Sequence, residues 1–249
     1  MLALDDTPTT RFWQKLPELL GEQPTGIICI SAHWDTPVTA VTGGHPEKPI
    51  LHDFYGFPRP LYQQEWSLTN SDALARVVTD HLNSAGVETT LETERPIDHG
   101  TWVPLRFAWP DGDIPLVQVS VNMRGGGDHH WQLGEALAPL RAQGMLIIGS
   151  GGITHNLRLL QRDVTDNQTT PEAETYMAAV QKAIGERDRE QLADWPSLPH
   201  AARFIPTPEH YYPLVVATAA AGEDKPTWLH ERWTMRELDL FAVGFGVAA

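Results

Sequence analysis

Cysteine is almost absent from this chain: Cys29 is the only one, and it sits inside an apolar run. No internal disulfide can form and no thiolate zinc site can be assembled, so the chain is expected in a reducing, cytoplasmic setting. Basic residues are scarce, with 18 Lys and Arg against 32 Asp and Glu and a net charge of −14. Such a protein repels phosphate backbones and anionic lipid, so neither nucleic acid nor a membrane is an expected partner. No apolar run approaches the roughly 20 residues that span a bilayer. Met1-Leu2-Ala3-Leu4-Asp5-Asp6 has neither the basic start nor the apolar stretch of a signal peptide. There is no Gly-Lys-Ser/Thr and no Gly-x-Gly-x-x-Gly opening a helix, which removes the common phosphate-cradling loops. The glycines around Ser150 miss the Gly-x-Ser-x-Gly spacing of a hydrolase elbow.

What is present is ample apolar material, 41% of 249 residues, with no repeat and no low-complexity linker. Gly26–Ser31 and Met145–Gly149 are continuous apolar runs of strand length, the pattern of buried parallel strands. Val87–Leu91 and Ile114–Val121 read as further strands. Trp228–Met235 and Leu238–Gly244 read as two closing strands around a turn at Arg236-Glu237. Helical periodicity predicts helices over Thr9–Leu20, with Phe12, Trp13, Leu16, Leu19 and Leu20 on one face, over Ser71–Ser84, over Asp128–Gln143 and over Pro171–Trp195. A last helix is predicted over Thr207–Ala221, with Thr207 as N-cap and Pro208 at the first position. Pro37–Arg59 is a long irregular segment of the kind that often carries function. This order predicts a single three-layer α/β domain with a mixed, largely parallel central sheet and helices on both faces.

Four histidines stand where one element hands over to the next. His33 follows the first buried run, His99 follows a short polar loop and Asp98, His155 follows the Gly-rich exit of the second run, and His210 opens the last helix. Open α/β sheets bind ligands beyond the carboxyl ends of their strands. Imidazole is both the commonest transition-metal ligand and the usual proton shuttle near neutral pH. A lone loop histidine is more often simply solvated; several at such positions point to a metal site with acid–base chemistry. For His210 the helix dipole would favour the neutral ring that a metal needs. Asp98 is placed to orient His99, although neighbours in a turn often point apart. His52-Asp53-Phe54-Tyr55-Gly56-Phe57 is suited to line a ring-binding pocket. His45, His81, His129, His130, His200 and His230 have no comparable setting and read as surface or helix residues.

Taken in order, Ser31-Ala32-His33-Trp34, Ile50–Pro58, Asp98-His99-Gly100-Thr101-Trp102, Ile153-Thr154-His155-Asn156-Leu157 and Pro206–Tyr211 resemble the class III extradiol ring-cleavage dioxygenases, the LigB-like superfamily, over nearly the whole chain. The nearest branch resembles the DOPA 4,5-dioxygenase type. The resemblance implies ring opening of a catechol, a small aromatic diol, by O2 at non-haem Fe(II), with Zn(II) able to stand in its place. It implies His33 and His210 as metal ligands, His155 as the acid–base group and a further ligand, and His99 as a second catalytic histidine. His52, Tyr55 and Trp102 are the expected substrate contacts, and a monomer or small homo-oligomer is the expected assembly. The family opens with a strand ending in Ser/Gly-His-Gly-Ser/Ala-Pro-Met, whose histidine is its first ligand. Met1–Asp5 resembles the residues just after it, so the 1–249 domain is expected to lack that strand, which would lie beside Gly26–Ser31, and to bind metal weakly. A metal-dependent hydrolase and a non-enzymatic metal-binding relative on the same scaffold are the alternative readings.

Overall fold

The computed structural model of the chain describes residues 2–45, 47–69 and 71–247, so Met1, Pro46, Asn70, Ala248 and Ala249 of the expected domain lie outside the described residues. Its centre is a sheet of β1 (Gly26–Asp35), β2 (Thr39–Thr42), β3 (Thr89–Glu92), β4 (Leu116–Val121) and β5 (Met145–Ser150), in the order β3-β2-β4-β1-β5. β1 runs parallel to both β4 and β5, β2 is parallel to β3, and β2 meets β4 antiparallel. The single domain, the mixed and largely parallel sheet and the helices on both faces match the expectation.

Two packed layers follow from the alternation of side chains along β1 and β4. On one face Ile28, Ile30, Val117 and Val119 are sealed under α2 (Asp72–Ser84) and α4 (Gly126–Arg141). The same layer holds α5 (Pro171–Glu186), α6 (Arg189–Ala193), α7 (Ala201–Phe204) and α8 (Tyr212–Ala220). On the other face Ile27, Cys29 and Leu116 meet α3 (His99–Ala108), whose neighbour is α1 (Pro8–Leu20). Each of these fully buried branched side chains contributes about 1.5–3 kcal/mol. The C-terminal residues form two small antiparallel pairs, β6 (Pro226–His230) with β9 (Ala242–Phe245), and β7 (Trp233–Thr234) with β8 (Leu238–Asp239).

Several expectations change. β2 lies within the segment read as irregular. Its threonines are buried yet satisfied, Thr39 Oγ1 with His129 Nε2 at 2.9 Å and Thr42 Oγ1 donating to the Arg95 carbonyl at 3.0 Å. The long charged helix breaks at Arg187, which takes a left-handed conformation at φ 51°, and restarts with Asp188 capping α6. The last helix is divided. Pro208–His210 is a 3-10 turn, Thr207 makes no side-chain cap, and Pro213, which has no N–H to give, opens α8. The closing turn falls on Met235 and Arg236, both at positive φ. His130 is wholly buried, accepting the Asn122 N–H at 3.1 Å and stacking on Tyr212 at 3.9 Å. Both flanks of β1 are occupied, so no further strand can lie beside Gly26–Ser31; the edges of the sheet are β3 and β5.

Candidate active site

The strand ends deliver four imidazoles to one place. His33 near the end of β1 has its ring centroid 4.0 Å from His99 and 4.8 Å from His210, and His210 stacks on His155 at 3.3 Å and 9°. Each arrives by a different local device. His99 opens α3 directly after Asp98. His155 is held by its own N–H, donated to the Phe204 carbonyl at 2.9 Å, and by Thr154, whose N–H reaches Asp239 Oδ2 at 2.6 Å. His210 ends the 3-10 turn, and its carbonyl accepts the Gly152 N–H at 3.0 Å.

Two glycines make the convergence possible. A Cβ on Gly100 would stand 2.8 Å from the His33 ring, and one on Gly151 would stand 2.1 Å from the His210 carbonyl. The Gly-rich exit of β5 thus serves close approach to the backbone of another part of the site.

The carboxylates divide the cleft into two donor groups, His33–Asp53–His99 and His155–Glu209–His210. Asp53 Oδ1 accepts from His99 twice, from Nδ1 at 2.9 Å and from the backbone N–H at 3.1 Å, and Asp53 Oδ2 lies 4.0 Å from His33 Nδ1. Burial opposes charge on Asp53, but the hydrogen bonds and proximity of His99 outweigh it and hold the carboxyl below its usual range. An ionised carboxylate only accepts, so His99 donates its Nδ1–H to Asp53, which turns Nε2 away from that carboxylate. Glu209 takes Oε1 to the Thr207 hydroxyl at 2.9 Å, while its Oε2 is buried without a hydrogen-bond partner.

Asp98, expected to orient His99, points the other way. It is wholly buried, accepting from Ser31 Oγ at 2.7 Å, Gln118 Nε2 at 2.6 Å and Arg95 at 3.3 Å. It ties β1, β4 and the start of α3 together beneath the cleft. Burial raises its pKa against those bonds.

Burial also favours the neutral form of His33, His155 and His210. It is the leading cause that lowers His33 and His155 to about 4, with the neighbouring imidazoles adding to it; Glu209 partly opposes it at His155 and Asp53 at His33. His210 is pushed lower still, by burial and then by His155, His33 and His99. His210 lies in a 3-10 turn just ahead of α8 rather than inside the helix's first turn. Neutral nitrogens with carboxylates beside them, one oxygen of which lacks a partner, are a donor set that fits a divalent cation.

The other expected residues stand further off. The His52 ring packs 5.7 Å from Phe54 and 5.5 Å from Trp102, and Phe54 in turn stands 5.4 Å from His99. Trp102 is wholly buried, donating from Nε1 to the Leu51 carbonyl at 2.9 Å. Tyr55 is 89% exposed. Asp53 and Glu209 stood inside the motifs without an assigned role. Their signal was adjacency to a histidine in each motif, His52 and His210.

The family described as the catalytic LigB subunit of aromatic ring-opening dioxygenase matches residues 5–246. A 4,5-DOPA dioxygenase extradiol of Beta vulgaris is 37% identical over 238 residues, 94% of this chain and 88% of that protein. One from Escherichia coli K12 is 34% identical over 251 residues, 99% of this chain and 91% of that protein. The crystal structure of an uncharacterised Escherichia coli K12 protein superposes with a TM-score of 0.82 at 31% identity, covering 98% of this chain and 94% of that one. With the imidazole cluster and the α/β scaffold in hand, these matches lead to one conclusion: the chain belongs to the LigB-like family of class III extradiol, ring-opening dioxygenases.

Proposed function

We propose that this protein opens the ring of a catechol, a DOPA-like diol, incorporating both atoms of O2 at a divalent metal held by His33, His210 and His155. The observation that carries the reading is the contact of four imidazoles, drawn from four chain segments, in one cleft. Bound there, iron(II), with zinc able to take its place, would supply the electron density and the adjacent positions that bring a catechol and dioxygen together.

The residues around it have separable tasks. His155 is unprotonated at neutral pH and so is ready to accept a proton from a catechol hydroxyl and later return it. Glu209 beside it favours the protonated ring and helps hold that proton between the two steps. His99, with Nδ1–H fixed on Asp53, offers Nε2 as an acceptor to the second hydroxyl. Phe54 forms the aromatic wall beside His99, backed by His52, which Trp102 supports from the core. Tyr55, exposed at the loop, is placed to meet the ring at the mouth.

We further propose a cytoplasmic enzyme, in keeping with its one buried free thiol, acting as a monomer or small homo-oligomer on a small molecule, with neither nucleic acid nor membrane as partner. No helix among the described residues is long and apolar enough to cross a membrane. The test is oxygen uptake by the anaerobically Fe(II)-loaded protein with L-DOPA and simpler catechols. Equal consumption of O2 and catechol with a yellow ring-opened product is expected. Metal-loaded protein that consumes no O2 with any catechol, or that hydrolyses esters instead, would overturn the reading.

A further inference from the structure

Of the four clustered histidines, His155 has the least support from regular structure. His33 stands in β1, His99 opens α3 and His210 ends a 3-10 turn, whereas residues 151–156 belong to neither helix nor strand. Its ring stacks on that of His210, and its placement comes through the backbone on either side of it. The hairpin of β7 and β8 supplies that hold from two buried carboxylates, Glu237 and Asp239.

Asp239 grips Thr154. Its Oδ2 accepts the Thr154 N–H at 2.6 Å, its Oδ1 accepts the Phe241 N–H at 3.2 Å, and its own N–H is donated to the Thr154 hydroxyl at 2.9 Å. That hydroxyl in turn donates to the Glu237 carbonyl at 2.8 Å. Glu237 works from the other side. Its Oε1 accepts from the Arg203 guanidinium at 2.6 Å and from the Thr170 hydroxyl at 3.0 Å. Arg203 lies in α7, where its carbonyl accepts from the Asn156 side-chain amide at 2.6 Å and the next carbonyl, of Phe204, accepts the His155 N–H at 2.9 Å. Thr154, His155 and Asn156 are thus fixed in succession by atoms that trace back to one hairpin. Asp239 has no cation paired with it among the described residues, and burial pushes its carboxyl up to about 6 against the pull of its N–H donors. A buried carboxylate without a counter-charge is a costly way to anchor a loop.

We propose that Glu237 and Asp239 are positioning residues for the His155 imidazole, Asp239 acting through Thr154 and Glu237 through Arg203 and Phe204. The inference rests on the proton-carrying role proposed above for His155. Misplacing a reacting group by about 1 Å can cost about 10²-fold in rate, so residues that never touch the substrate can govern turnover. The two carboxylates differ in what a conservative substitution does. Both oxygens of Asp239 accept N–H donors, so Asp239→Asn turns an NH2 group on one of them. Glu237 uses Oε1 alone, and its Oε2 is buried without a hydrogen-bond partner, so Glu237→Gln keeps the bonds to Arg203 and Thr170.

The test compares Asp239→Asn, Glu237→Ala and Glu237→Gln with the intact protein. In the Fe(II)-loaded enzyme with a catechol, kcat should fall about 10–100-fold in Asp239→Asn and in Glu237→Ala. KM should change by less than about threefold, because the His99 half and its aromatic wall are untouched, and Glu237→Gln should keep kcat within about threefold. A second readout needs neither iron nor turnover. Imidazole carbon–proton correlation spectra of the metal-free protein should show the His155 and His210 resonances displaced in Asp239→Asn and Glu237→Ala, and those of His52 and His99 unmoved. Thr154→Val, which loses only the two bonds of the hydroxyl, should displace the same pair and replaces either variant that does not fold. Unmoved His155 resonances would overturn the proposal, as would displacement of every ring resonance or failure of Glu237→Gln to restore kcat, which would make the hairpin a general prop. An intact protein that consumes no O2 with any catechol would overturn the catechol reading instead, and the spectra decide the positioning on their own.

Discussion

The two halves of the imidazole cleft are built differently. The His33–His99 half is braced by charge. Asp53 grips His99 at two points, and below it Asp98 collects hydrogen bonds from Ser31, Gln118 and Arg95. The His155–His210 half is braced by backbone: the Phe204 carbonyl, the Gly152 N–H and the packing of one ring on the other. Its carboxylate, Glu209, has one oxygen buried without a partner. A braced half holds fixed tautomers and geometry. A half held mainly through backbone, with Asp239 anchoring Thr154 beside it, leaves its ring nitrogens and carboxylate available, which suits groups that bind a cation and exchange protons.

The comparison can be broken from either side. The largest effect is expected at His155. His155→Ala should lower turnover by about 10²–10⁴-fold, the usual worth of a positioned proton carrier, while metal content falls far less. Metal analysis beside steady-state oxygen uptake checks this; an unchanged rate removes His155 from the chemistry. Asp53→Asn should cost about 10–100-fold through the loss of an orienting carboxylate, with the pH profile of turnover changed because the His99 tautomer is no longer fixed. A loss of stability with no change in that profile would make Asp53 merely structural.

The next effect is on folding. Asp98→Ala would leave the Ser31, Gln118 and Arg95 donors unsatisfied in a buried place and should destabilise by about 3 kcal/mol or more, read by urea denaturation. Glu209→Ala takes a partner only from the Thr207 hydroxyl, which is exposed, so its stability cost should be about 1 kcal/mol or less. Reversal of that order would contradict the contrast between the halves.

The smallest and most distributed effect is that of pH on stability. His130, wholly buried outside the cleft, is lowered to about 4 chiefly by burial. Its folded pKa lies below the unfolded value of about 6.5, so below that value the unfolded chain binds the proton first. The neutral ring costs nothing above about pH 6.5, and stability falls as pH drops from there towards 4, by about 3 kcal/mol in total for this one group. The melting temperature should fall steadily from pH 7 to pH 5, and His130→Gln should flatten the slope. A melting temperature that rises on acidification would contradict the burial argument.

The four histidines are legible in the sequence because each stands at a boundary between elements. Their partners were not. Asp53 reaches His99 across 46 positions, whereas local adjacency pointed to Asp98, which faces down into the sheet. β2 escaped because its buried threonines look polar until their hydroxyl partners, His129 and the Arg95 carbonyl, are known. The edge position of β5 escaped for the opposite reason: an apolar run reads alike whether or not its far edge is covered. The 3-10 turn at His210 was hidden by a helical pattern that Pro213 interrupts.

The central claim is that the two halves serve one ion rather than two. Metal titration with Fe(II) and with Zn(II), read as ions bound per chain in the intact protein, His33→Ala and His210→Ala, tests it directly. The account predicts one ion per chain in the intact protein and loss of that ion in each variant. Two ions per chain, or one retained when either histidine is removed, would mean separate sites and would contradict it.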